Sequence, residues 1–109
     1  MVKFELMKPV TFEGEEVSVL ELNVEDLSYK DLRRAEREAQ AMCGKKEMLG
    51  VVKVFDDRYL GCVAAIAAKV KPDLIFTFKA PDFIALTTHM RNFLLNGEWD
   101  TDEETQTTE

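Results

Sequence analysis

A chain of 109 residues, 46% hydrophobic and 32% charged, suits one compact domain that buries roughly 65% of the surface its unfolded chain would expose. The net charge of -7 is unevenly placed: six of the 21 acidic residues and none of the 14 basic ones fall at positions 98–109, leaving 15 acidic against 14 basic groups over residues 1–97. A near-neutral body argues against nucleic-acid binding, no apolar run approaches the ~18 residues of a membrane helix, and Met1–Phe4 opens without a signal peptide's apolar stretch, so the cytoplasm is the expected location.

Residues 1–23 carry strand chemistry. Phe4, Leu6, Val10 and Phe12 recur at period two, Glu13-Gly14 offers a tight turn, and Val17, Val19, Leu20 and Leu22 follow, which predicts a β-hairpin. A two-residue turn pairs Phe12 with Glu15 and Val10 with Val17. It places Val19 on that same face but Leu20 and Leu22 on the other, so one bulge near Ser18 is expected to reconcile the two phases. Pro9 has no amide hydrogen, which puts its strand at a sheet edge or interrupts pairing there.

Ser28-Tyr29-Lys30-Asp31 resembles a capping box with Asp in the usual Glu position, so a first helix is expected over residues 29–43. Leu32, Ala35, Ala39 and Met42 form its apolar face, and Gly44 with Lys45 and Lys46 provides a stop. On the opposite face Arg33, Arg34 and Arg37 alternate with Asp31, Glu36 and Glu38, the pattern of a solvated surface. Asp56 or Asp57 is expected to cap a second helix, in which Tyr59, Leu60, Val63, Ala64, Ala67 and Val70 are apolar and Pro72 marks the end. Its alanines at 64, 65, 67 and 68 admit close neighbours, so this helix is expected at the centre of the packing. Leu74–Phe78 reads as a buried connection or a brief strand. A third helix opens at Pro81, continues through Phe83, Leu86, Met90 and Phe93, and ends at Asn96-Gly97. The predicted fold is therefore α+β: a single domain over residues 1–97, built from a hairpin and three helices, with a disordered acidic tail at 98–109.

Catalytic and metal chemistry find little support. Cys43 and Cys62 lack metal-ligand spacing and read as reduced, buried thiols; His89 reads as a helix-flank residue and Asp56-Asp57 as helix caps. No phosphate-cradling glycine motif occurs. No cofactor, no metal and no enzymatic activity are expected. Phe76, Phe78, Phe83 and Phe93 form the most prominent apolar group: as core they would seal the third helix against the second, and as a groove they would receive a partner. Trp99, a lone large aromatic in an acidic segment, is expected to find a partner on the body or in another protein. Phe76, Phe78, Phe83 and Trp99 are therefore the candidate partner-binding residues.

The order of motifs resembles the tail assembly chaperone family of Mu-like and related contractile-tailed phages and prophages. Leu6-Met7-Lys8-Pro9-Val10, Glu13-Gly14 and Val17-Ser18-Val19-Leu20-Glu21-Leu22 are similar to its opening strand, turn and return strand. Leu27 through Asp31-Leu32 to Ala35-Glu36, Tyr59-Leu60 to Ala65, Pro72-Asp73-Leu74 and Ala80-Pro81-Asp82-Phe83 follow in the family's order, with Asn92-Phe93-Leu94-Leu95 near the end. The resemblance spans about residues 3–97. It implies a non-catalytic protein of the bacterial host cytoplasm that binds the tape measure protein and assists assembly of the tail tube protein around it. The competing expectation is a small acidic interaction module, such as an antitoxin with a compact basic partner.

Overall fold

The computed structural model describes residues 1–43 and 56–99. Strands β1 (Val2–Phe12) and β2 (Glu15–Leu22) form an antiparallel hairpin, followed by a 3-10 turn at Val24–Asp26 and by helices α1 (Tyr29–Cys43), α2 (Asp57–Ala68), α3 (Pro72–Ile75) and α4 (Ala80–Asn96). This is the expected α+β order of a hairpin and three long helices, with the one-turn α3 added. The expected stop at Gly44, Lys45 and Lys46, the side chain of Cys43 and the expected disorder beyond Trp99 lie outside the described residues.

Glu13 and Gly14 both take positive φ, 53° and 84°, as a two-residue type I′ turn requires, and Phe12 pairs with Glu15 and Val10 with Val17. The break in register falls opposite Ser18. Four residues of β1, Leu6 to Pro9, lie between the paired positions Glu5 and Val10, whereas β2 spends only Ser18 there. The extra residues sit in β1 because Pro9 cannot donate to the ladder. Across this shift Val10 pairs with Val17 and Phe4 with Leu20, and Phe4, Leu6, Val10, Leu20 and Leu22 are all buried, while β2 itself keeps its alternation.

Helix α1 begins with the expected reciprocal cap: Ser28 Oγ accepts from the Asp31 amide at 3.2 Å and the Asp31 carboxylate accepts from the Ser28 amide at 3.0 Å. Asp56 caps α2, accepting from the Arg58 amide at 2.9 Å. Helix α2 packs against α1, α3, α4 and β2, and Leu60, Val63, Ala64 and Ala65 have no exposed surface. Its small residues allow this central place. A methyl group on Gly61 would lie 2.6 Å from the Phe76 ring, so any side chain there would displace that aromatic. Leu74–Phe78 forms a buried connection rather than a strand: Phe76, Thr77 and Phe78 donate their amides to Pro72, Leu74 and Ile75 in successive helical turns.

Helix α4 carries Pro in its first turn and ends at Gly97 with φ 81°. Its Asp82 is 2% exposed, and its carboxylate accepts from the Met7 amide at 2.9 Å and the Lys8 amide at 3.0 Å. Those two donors belong to the irregular stretch of β1. The last helix thereby fixes the first strand, and with it the position of the whole hairpin over the helices.

A candidate docking groove between the hairpin and the end of helix α2

The four residues singled out from the sequence do not form one surface. Phe76 and Phe83 are half-buried and meet with ring centroids 5.5 Å apart, and the Phe76 ring lies over Gly61. Phe78 is 7% exposed and belongs to the core. Trp99 packs elsewhere, stacked on His89 at 5.3 Å with 28° between the rings and tilted against Phe93 at 6.5 Å. His89 in turn meets the edge of Phe4 at 6.4 Å. Of the two fates open to Trp99, the structure thus shows the contact with the body.

A pronounced depression lies on another face. It is a groove of about 750 Å³ between the hairpin residues Phe12 to Val17 and the segment running from Ala65 through Val70 to Leu74. Val17, Ile66 and Val70 supply half-buried apolar surface, and a second hollow continues it past Val19 and Glu21 toward Met1. Charges of both signs rim it. Lys71 Nζ reaches Glu13 across the mouth at 2.8 Å, and this hydrogen bond raises the pKa of the Lys71 ammonium. Arg34 pairs with Glu38 at 3.2 Å along α1.

Lys69 lines both hollows. It closes α2 in the left-handed conformation, φ 59°, with its amide bonded to Ile66 O at 3.1 Å. Glycine fills the equivalent place at the end of α4 without the steric cost, of about 1 kcal/mol, that a side chain meets there. Among the described residues, Lys69 has no ion pair.

This groove was not legible in the sequence. Its walls come from positions that read as punctuation, the Glu13-Gly14 turn and the Lys71-Pro72 helix boundary, and no periodicity joins segments 58 residues apart. Asp82 was likewise readable only as a first-turn acid, since nothing local points to amides 74 and 75 positions away.

Reactive chemistry is sparse around these features. Cys62 is fully buried, its Sγ 3.9 Å from Met42 Sδ; burial first, and the nearby Glu38 charge second, push its thiol up from 9.0 to about 11. Burial, followed by Glu36, also raises Tyr59. Among the described residues, no three His, Cys, Asp or Glu side chains are grouped to hold a metal ion, and no helix is long and apolar enough to cross a membrane. No protein-family model, curated protein or solved structure matches the chain.

Proposed function

We propose that the protein is a non-catalytic assembly chaperone of a phage or prophage tail, acting in the host cytoplasm on the tape measure protein while tail tube subunits polymerise around it. The resemblance of the ordered motifs supplies the identity of the partner. The observation that carries the binding role is the groove between β2 and the Ile66–Lys71 segment, where apolar surface is accessible beside a rim of mixed charge. A chaperone for a long, partly apolar chain needs such a surface, and it needs modest affinity so that the growing tube can displace it.

Co-expression with the long protein encoded nearby tests the proposal. The expected result is that the long chain is insoluble alone and co-purifies with this protein when both are made. Substituting Ile66→Asp and Val70→Asp together, both in half-buried groove positions, is expected to abolish co-purification while the thermal transition persists. A neighbouring gene for a small basic toxin, neutralised by this protein, would overturn the proposal in favour of the antitoxin reading.

A further inference from the structure

Among the described residues the sheet has two strands, and strand β2 is hydrogen-bonded on one side only. The two-residue turn makes Phe12 and Glu15 a hydrogen-bonded pair, and inward and outward main-chain groups alternate from there. Glu16 and Ser18 therefore turn their N–H and C=O groups away from β1. Both residues are exposed, and among the described residues no main-chain hydrogen bond outside the sheet engages them. The groove runs beside this edge, with Ile66, Lys69 and Val70 across from it.

We propose that the partner adds an extended segment to the Glu16–Ser18 edge of β2, and that this segment carries two apolar side chains at alternate positions between flanking basic residues. The open edge selects a strand over a helix, since a helix has already spent its own backbone groups, whereas a strand pairs at a spacing of about 4.8 Å. The side-chain pattern follows from β2 itself. Alternation places Glu15, Val17, Val19 and Glu21 on one face of the strand, with an acid at each end of an apolar pair. Glu15 and Glu21 are exposed and have no ion pair among the described residues. Lys71 and Arg34 are already matched by Glu13 and Glu38, while Lys69, shared by both hollows, disfavours a cation at the middle of the incoming strand.

A second copy of the chain fits poorly. Antiparallel pairing of two β2 strands about Ser18 would set Glu15 against Glu21 at both ends, and like charges directly opposed repel. The edge is thus guarded against itself while remaining open to a basic partner. The proposal rests on the groove being the contact surface named above, but not on the partner being a tail protein.

A capped seven-residue peptide with lysine at both ends, valine at its third and fifth positions and threonine elsewhere is the probe, titrated into the full chain and followed by amide NMR. Shifts are expected to centre on Glu16 to Ser18, with hydrogen exchange of the Ser18 amide slowed at least about 10-fold at saturation. Combined Glu15→Lys and Glu21→Lys substitution is expected to weaken binding at least about 10-fold and to transfer preference to a glutamate-ended peptide. Ser18→Pro, tolerable where an edge N–H faces solvent, is expected to abolish binding with the circular dichroism unchanged. Equal binding by a peptide N-methylated on its pairing edge, or unchanged binding of the lysine peptide by the double charge variant, would overturn the proposal. Peptide binding at the edge without capture of the tape measure protein supports the strand-addition site and counts only against the tail-assembly reading.

Discussion

At the scale of single residues, the buried ionisable groups make stability depend on alkaline pH. Cys62 binds its proton more tightly in the folded chain, where its value is about 11, than at its ordinary 9.0. An acid shifted upward in this way contributes stability that is complete below about pH 9 and is lost as pH rises through about 11. Tyr59 is shifted in the same direction by its burial. Urea unfolding at intervals from pH 8 to pH 11 is therefore expected to show falling stability across that window, with a shallower fall in Cys62→Ala. An identical slope in both chains would mean that the thiol takes no part. Lys69 makes a different residue-scale point, because a left-handed helix end that glycine would occupy at less cost instead presents a cation at the meeting of two hollows.

At the scale of elements, the contact between α4 and β1 governs the hairpin. A two-stranded ribbon is marginal by itself, and this one is interrupted at Leu6 to Pro9. Asp82 gives the interrupted stretch hydrogen bonds that the ladder cannot, at a helix start whose dipole favours its negative charge. Asp82→Asn replaces one acceptor oxygen by a donor, which then confronts one of the two amides. A loss of about 1–3 kcal/mol is expected, and more in Asp82→Ala, where both buried donors lose their partner. Chemical denaturation measures the loss, and faster exchange of the Met7 and Lys8 amides would locate it. An Asp82→Ala protein with wild-type stability would show that water replaces the carboxylate at no cost.

At the scale of the whole molecule, Trp99 joins the end of the described chain to its beginning, since its ring lies on His89 and His89 lies against Phe4. Composition alone groups Trp99 with the acidic tail, and on that basis cutting after Gly97 would cost almost nothing. The stacking changes the expectation. Trp99→Ala in the full chain should cost about 1–2 kcal/mol, from lost apolar burial together with an aromatic pair. As the sole tryptophan, it reports its own environment: its fluorescence should shift to longer wavelength when the fold melts. Emission already at the solvent-exposed limit in the native protein would contradict docking.

Sequence alone determined the elements whose signals are local. The two-residue turn at Glu13-Gly14, the Ser28–Asp31 cap, a cap at Asp56 or Asp57, Pro81 in a first helical turn and the Gly97 stop each depend on backbone groups within a few residues, so their chemistry is readable in place, although only the structure chose Asp56 over Asp57. The alanines of α2 likewise predicted its central position, because small side chains permit close approach from several sides. The hairpin phases required a register break near Ser18 and Pro9 marked β1 as the interrupted strand, yet nothing local announced that the freed amides would be taken up by Asp82, 74 and 75 positions away. Tertiary structure alone separated Phe78 in the core from the Phe76–Phe83 pair and from Trp99, because one apolar period serves equally for core and surface. It alone formed the groove, whose walls are a turn and a helix end brought together by packing, with no pattern in either segment to announce the other.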